Sequence, residues 1–194
     1  MTTTATTATT APAPVEEFNG VPVQKLRGTI AKLTDQPELA AFRFTATNTW
    51  IEGTATTSTI HEWYGAGADQ VHAARFTATA DHPTLGHGHG PTPQEYVLHA
   101  LAACIAAGVA TTAANRGIEL SRIDTVARGS IDVRGVLGID PDVRNGFDHV
   151  EVAVDVEGDA PRDALDALIA ASAKRSAVFD IITAPTSVVV RPAD

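Results

Sequence analysis

The amino-acid sequence predicts an α+β protein, in which strand patterns come first and an apolar helix, further strands and a second helix follow. The clearest strand is 150–156, where valine recurs at every second position. The clearest helix begins at Thr92-Pro93-Gln94-Glu95, a capping box with proline at the first helical position. One long apolar helix among alternating strands favours antiparallel sheets around a central buried helix.

Composition and charge exclude several classes of function. The chain has 194 residues, which is enough for one domain with a sizeable core. It carries 14 basic and 23 acidic residues, a formal net charge of −9, which disfavours binding to nucleic acid or to an anionic membrane. The N-terminus lacks a signal-peptide pattern, and no uninterrupted apolar run reaches about 18 residues. We therefore expect a cytoplasmic protein with no membrane span.

The N-terminal residues differ in composition from the rest. Residues 1–14 contain only Thr, Ala and Pro after Met1, without charge or apolar periodicity. Such a segment buries too little surface to order itself, so we expect a disordered tail over 1–14 and a single domain over 15–194.

The first half of the domain predicts one helix and three strands. Apolar spacings of three and four over 23–33 indicate an amphipathic helix. Alternation over 42–50 predicts a strand with one buried face, and β-branched residues over 54–63 and 71–80 predict two more strands. The short turns between them favour an antiparallel meander.

The second half predicts a central helix from Pro93 to about Asn115, ended by Gly117. Because this helix is apolar on nearly every face, we expect it to be covered on every face.

The remaining elements follow from simpler signals. We expect strands over 123–133 and 150–156 around a loop at 135–146. A second helix opens near Pro161 and breaks near Ser176, and the β-branched run 187–190 predicts a final strand.

Cys104 is the single cysteine, which excludes an intrachain disulfide and a Cys-rich zinc site. It lies mid-helix among alanines, where a free cysteine is often a small buried hydrophobe. The alternative is a thiolate nucleophile, which needs a base or a cation to lower its pKa.

Two polar residues on the same helix, Glu95 and His99, are candidate partners of Cys104. At 100° per residue, Glu95 points to the side opposite Cys104 and lies roughly 13 Å along the axis, and His99 is about 140° away. Glu95 and His99 are spaced to hydrogen-bond with each other, but neither reaches Cys104 on one straight helix. A site that joins the three needs a second subunit or a kink. Glu95 also has a purely structural role in the capping box.

Histidine is concentrated in the glycine-rich segment 82–90. The His87-Gly88-His89 pattern is one that zinc or copper can bind through imidazole nitrogens. A flexible, solvated loop explains the same residues, so we predict no resident metal, with His87 and His89 as weak candidates.

The segment GPTPQEYVLHALAAC, residues 90–104, resembles the central helix of the OsmC-like family, which includes the organic hydroperoxide resistance proteins. The similarity covers roughly residues 20 to 190. Weaker resemblances lie at 48–53, 65–67, 116–118, 135–138, 176–180 and 185–188.

This resemblance implies an α+β fold that forms an intertwined homodimer, with central helices packed together and active sites at the subunit interface. In the peroxidase members, a reactive cysteine on the central helix attacks a hydroperoxide, and a second cysteine then forms a disulfide with it. An arginine of the first hairpin and a glutamate at the head of the helix stabilise the thiolate.

The sequence departs from the peroxidase pattern at three positions. Cys104 matches the reactive cysteine, but Ser176 stands where the resolving thiol is expected. Gln94 occupies the place of the glutamate, with Glu95 one residue late, and the first hairpin has Trp50 and its neighbours where the arginine is expected. Only a one-cysteine cycle is then open, in which an external thiol reduces the oxidised Cys104.

Three functions therefore remain open. The first is a one-cysteine peroxidase acting on organic hydroperoxides, with Cys104 as nucleophile and Glu95 or Gln94 as a polar partner. The second is a hydrolase- or lyase-like enzyme without cofactor, in which Cys104 attacks a small electrophile and His99 with Glu95 forms an acid–base pair. The third is a protein that binds a small ligand in the interface pocket. For all three we expect no cofactor and a pocket lined by Trp50, Tyr96, Leu101, Ser176 and Phe179.

Overall fold

The computed structural model describes residues 17–184 and 186–193, so the predicted tail over 1–14 lies outside the described residues. Two antiparallel sheets, a short ribbon and five α-helices make up this part of the chain. The predicted α+β class is confirmed. The first elements are β1 (Glu17–Phe18), β2 (Val21–Pro22), α1 (Val23–Asp35), β3 (Arg43–Phe44), β4 (Thr47–Glu52), β5 (Ala55–Gly65) and β6 (Ala68–Ala80). The later elements are α2 (Pro93–Arg116), β7 (Leu120–Ser130), α3 (Val133–Val136), β8 (His149–Gly158), α4 (Arg162–Arg175) and α5 (Ala177–Thr183).

The first sheet is built around β5, which pairs with β6 on one side and with β3 and β4 on the other. Thr57 of β5 faces Thr49 of β4 and Thr79 of β6, which fixes the register of the antiparallel meander. The predicted meander is therefore confirmed, with β5 and β6 longer than the sequence patterns indicated. A 3₁₀ turn at Pro37–Ala40 leads from α1 into this sheet.

The prediction of one strand with a buried face over 42–50 is wrong in two respects. The segment is divided into β3 and β4, and its large apolar side chains are exposed: Phe44 by 75% and Trp50 by 66%. Nothing in the described chain covers this part of the sheet. Phe42 instead stacks on Trp63, with 5.8 Å between ring centroids.

The predicted amphipathic helix is α1, which buries Val23 and continues two residues past the predicted end. Arg27 ties it to the end of α2, because its guanidinium donates to the side-chain and backbone oxygens of Asn115 at 3.1 and 3.0 Å.

Helix α2 has the predicted ends. The Thr92 hydroxyl accepts from the Glu95 N–H, the Glu95 carboxylate accepts from the Thr92 N–H, and Gly117 ends the helix in the left-handed conformation at φ 70°. Among the described residues, α2 is the one helix long and apolar enough to cross a membrane by length and composition. A core helix of a soluble protein has the same character.

The core lies where one stripe of α2 packs against β8 and α4. Its fully buried centre includes Val109 and Leu168, both at 0% exposure. The predicted apolar stripe of α4 contributes Leu165 and Leu168. The described chain covers α2 on one stripe only, and Val97 is 40% exposed, so coverage of the remaining faces would need a second chain.

Three further predictions from the second half need correction. Strand β7 ends at Ser130, and the predicted loop at 135–146 begins inside the short helix α3. After the predicted break at Ser176 the chain forms a further helix, α5, which the sequence reading did not anticipate. The described residues 186–193 contain no strand, and Val190 is 92% exposed. A strand needs a neighbouring strand for its backbone hydrogen bonds, and the described chain offers this run none.

Candidate functional site

Cys104 lies half-buried on α2, between the fully buried Leu101 and Ile105 in the stripe that faces the core. The chain segment packed against its thiol is the junction of α4 and α5. This junction begins with Ser176, which is 4% exposed and caps α5 by accepting a hydrogen bond from the Phe179 N–H at 3.1 Å. The structure therefore brings Ser176 to Cys104, although they are far apart in the sequence.

The thiol of Cys104 lies in an environment that favours its ionised form. Burial raises the pKa of the thiol, but hydrogen bonds from the Ser176 hydroxyl and from the backbone N–H groups of Val178 and Ala177 outweigh that effect. The pKa of Cys104 is therefore below the ordinary value of a thiol. Groups on the facing segment, rather than a base on α2, thus stabilise the thiolate of Cys104.

An apolar cavity of about 220 Å³ lies between α2, β8, α4 and α5, lined on α2 by residues next to Cys104 on the helix rather than by Cys104 itself. Leu101 and Ile105, the neighbours of Cys104 in the buried stripe, form one wall, and Phe179 of α5 forms another. Of the predicted pocket residues, Ser176 therefore lies at the thiol, and Leu101 and Phe179 line the neighbouring cavity. The cavity is of a size to hold a small alkyl or aryl group.

Glu95 is engaged in the helix cap. Its Oε2 accepts from the Thr92 N–H at 2.7 Å and from the Thr92 hydroxyl at 2.9 Å, and these bonds lower the pKa of the Glu95 carboxyl. Glu95 and His99 line one groove of about 580 Å³ between α2 and β7. The carboxylate is held by Thr92 rather than by His99, so the predicted acid–base pair is not formed.

The other predicted residues lie away from the thiol. Gln94 lines a separate cleft of about 390 Å³ together with Leu85 and Ile131. The Tyr96 hydroxyl donates to the Thr79 carbonyl at 2.7 Å, which ties α2 to the first sheet. Trp50 belongs to the first sheet, and its indole N–H donates to the Gly53 carbonyl at 3.0 Å.

The histidine-rich segment is more ordered than a flexible loop would be. Asp81 is 1% exposed and accepts hydrogen bonds from the backbone N–H groups of His87 and His89 at 3.0 and 3.1 Å. Sequence reasoning missed this role of Asp81. The signal was a carboxylate that immediately precedes a loop rich in glycine, where backbone donors are free to converge.

The comparisons with known proteins agree with this architecture. The family model described as OsmC-like protein matches residues 86–191. None of the curated proteins matches the chain. The solved structure of an OsmC-like protein from Mycoplasma pneumoniae is similar, with 17% identity and a TM-score of 0.57 over 72% of this chain and 86% of that one.

A further solved structure, the organic hydroperoxide resistance protein OhrB of Bacillus subtilis, has 19% identity and a TM-score of 0.45 over 72% of this chain and 91% of that one.

The fold and the site together define an α+β protein with a single thiol on its central helix. The family model covers more than half of the chain, and the chain belongs to the OsmC-like family.

Proposed function

We propose that this protein is a one-cysteine peroxidase that reduces organic hydroperoxides with Cys104 and works as a homodimer. The observation that carries the proposal is the thiol environment: Ser176, Ala177 and Val178 of the α4–α5 junction lower the pKa of Cys104, and its helix neighbours Leu101 and Ile105 line an apolar cavity. A thiolate is the nucleophilic form of cysteine, so donors that favour it prepare the residue for attack.

The chemistry needs one thiol in the protein and two outside it. The Cys104 thiolate attacks the terminal oxygen of the hydroperoxide, the O–O bond breaks, and the alkoxide takes a proton and leaves as an alcohol. Cys104 is then a sulfenic acid. One external thiol converts it to a mixed disulfide with release of water, and a second external thiol restores Cys104 and leaves as a disulfide. A reducing cytoplasm supplies such thiols, so we place the reaction there.

Ser176 has a defined part in this cycle. It stands where the family's peroxidases carry a resolving cysteine, and it lies against the Cys104 thiol and lowers its pKa. A hydroxyl stabilises the thiolate but cannot form a disulfide with it. Because Ser176 cannot act as a resolving thiol, the cycle requires an external reductant.

The preference for organic substrates follows from the cavity. Its walls are mainly apolar and include Leu101 of α2 and Phe179 of α5. An alkyl or aryl hydroperoxide can bury its apolar part there, whereas hydrogen peroxide has none to bury.

The homodimer is supported by the apolar surface that one chain leaves uncovered. Val97 of α2 is 40% exposed, and Phe44 and Trp50 of the first sheet are exposed still further. Exposed apolar area of this extent, on a helix and on a sheet, indicates an interface with another chain.

The test is hydroperoxide consumption by the purified protein, with dithiothreitol as reductant. We expect turnover of cumene hydroperoxide to exceed that of hydrogen peroxide and to be lost in Cys104→Ser. His99→Ala is the matched control, because His99 lies on the same helix outside the thiol site, and it should keep the activity. No turnover by wild type, with a Cys104 that reacts slowly with thiol reagents, would contradict the proposal and favour a ligand-binding protein. Activity lost in His99→Ala would favour the acid–base enzyme instead.

A further inference from the structure

A second candidate site lies outside the thiol site, where the segment 82–90, here called the His-Gly loop, meets the turn after β4. It presents two imidazoles and one carboxylate to solvent. His87 Nε2 lies 4.0 Å from Glu52 Oε1, and the ring centroids of His87 and His89 are 5.5 Å apart. Side chains of His87 and Glu52 are 66% and 65% exposed, so an ion can reach them from solvent.

One buried carboxylate, that of Asp81, holds the backbone of the His-Gly loop in place. Asp81 accepts from the backbone N–H groups of His82, His87 and His89 and from the Thr54 hydroxyl, the last at 2.7 Å. The same carboxylate thus fixes the backbone positions of both histidines.

Glycine makes this loop conformation possible. A Cβ on Gly86 would collide with the Asp81 and Thr54 side chains, and a Cβ on Gly90 would lie 2.7 Å from the Thr79 carbonyl. Gly88, between the two histidines, has φ +68°, which side-chain-bearing residues rarely adopt. The pair of imidazoles is therefore presented from a defined backbone, which a flexible loop would not provide.

We propose that Glu52, His87 and His89 bind a divalent transition-metal ion of the zinc–copper class. Imidazole nitrogen and carboxylate oxygen are ligands of these ions, at about 2.0–2.2 Å from the metal. Two donors on one ion are therefore up to about 4 Å apart, the distance between His87 Nε2 and Glu52 Oε1. Among the described residues, no three His, Cys, Asp or Glu side chains already surround one position, so the exposed His89 ring must turn to supply the third donor.

Such an ion would connect two parts of the fold that the backbone leaves separate. Glu52 ends β4, whereas the His-Gly loop leads into the first turn of α2. An ion held by both would tie the first sheet to the start of the central helix. Because it binds the folded chain, it would also raise the temperature of unfolding.

The test is a calorimetric titration of the chelator-treated protein with ZnCl2, accompanied by thermal unfolding with and without the ion. We expect one site, weakened at least tenfold in His87→Ala, in His89→Ala and in Glu52→Gln. His149→Ala is the matched control, since it removes another exposed histidine and should bind as wild type does. Cys104→Ser should also bind normally, which keeps this result separate from the peroxidase proposal.

Two results would overturn the proposal. One is the absence of saturable binding by wild type at millimolar ZnCl2. The other is binding that persists unchanged in His87→Ala and His89→Ala, which would place the ion elsewhere. These three side chains are exposed, so the variants should unfold at the wild-type temperature without metal, and circular dichroism checks this.

Discussion

Ser176 lies against the Cys104 thiol and lowers its pKa, and the same Ser176 hydroxyl accepts a hydrogen bond from the Phe179 N–H at the start of α5. One side chain therefore caps a helix and stabilises a thiolate. This pairing joins the central helix to the α4–α5 junction and explains why the pKa of Cys104 is lowered although burial opposes it.

Replacing Ser176 by cysteine should create the disulfide that this chain lacks. Ser176 lies against the Cys104 thiol, and a disulfide requires two side chains that are direct neighbours. On treatment with one equivalent of cumene hydroperoxide, Ser176→Cys should lose two hydrogens in intact mass and both free thiols. The exposed Ser130→Cys is the control and should retain a free thiol under the same treatment. Two free thiols in oxidised Ser176→Cys would refute the geometry.

Removing the Ser176 hydroxyl should raise the pKa of Cys104. In both Ser176→Ala and Ser176→Gly, the pH profile of alkylation by iodoacetamide should move to higher pH. Glycine is tolerated at a helix N-cap, whereas alanine costs about 1 kcal/mol, so the two variants separate the thiol effect from the cap effect. A profile that stays unchanged in both variants would show that the backbone N–H groups of Ala177 and Val178 suffice.

The lowered pKa of Cys104 also makes the free energy of unfolding depend on pH. Because the folded-state pKa of Cys104 is lowered, ionised Cys104 stabilises the fold above the thiol pKa of the unfolded chain, and this contribution is lost as the pH falls through the folded-state pKa. Wild type should therefore gain stability over Ser176→Gly as the pH rises. Urea unfolding at several pH values measures the difference.

Ionised Asp81 should make the free energy of unfolding decrease at acidic pH. Its pKa is strongly lowered by the Thr54 hydroxyl and the backbone donors of the His-Gly loop, so its contribution is present above the ordinary aspartate pKa and is lost as the pH falls below it. Asp81→Asn should unfold at lower temperature than wild type at neutral pH, because its amide N–H groups face donors. The difference should shrink in acid. Thermal unfolding of both proteins from neutral to acidic pH measures this difference in unfolding temperature. A difference that stays constant would contradict the role assigned to ionised Asp81.

Two Gly→Ala substitutions should have opposite signs. In Gly86→Ala the new methyl collides with the buried Asp81 side chain, and the overpacking should cost roughly 1–3 kcal/mol. In Gly28→Ala, within α1, nothing lies within 4 Å of the new methyl, and the helix should gain about 0.5–1 kcal/mol. Chemical denaturation of both variants gives the two values. Equal effects would mean that the His-Gly loop is not held by Asp81.

The core should be most sensitive at Leu168, which is 0% exposed at the contact of α4 with α2. Leu168→Ala should cost roughly 2–5 kcal/mol through lost burial and the cavity left behind, and about 2–4 °C in Tm for each kcal/mol. Leu85→Ala is the matched control, because Leu85 is 64% exposed and its loss should change stability by about 0.5 kcal/mol or less. Similar Tm values for both variants would contradict the assignment of the core.

Much of the fold could be predicted because its signals are local. The capping box of Thr92 and Glu95, the ending at Gly117 and the alternation along β8 depend on residues a few positions apart. The wrong predictions concern segments whose structure depends on distant partners. The run 187–190 has the composition of a strand, yet the described chain offers it no strand to pair with.

The same distinction between local signals and contacts with distant residues applies to the candidate site. The α+β class, the long apolar helix with its caps and the position of Cys104 on it follow from the amino-acid sequence alone, since neighbours within four residues set helical hydrogen bonds and periodicity. Tertiary packing alone brings Ser176 against the Cys104 thiol and the Thr54 hydroxyl onto the Asp81 carboxylate. Those contacts join segments that are remote in the chain, and their geometry arises when the elements pack against one another.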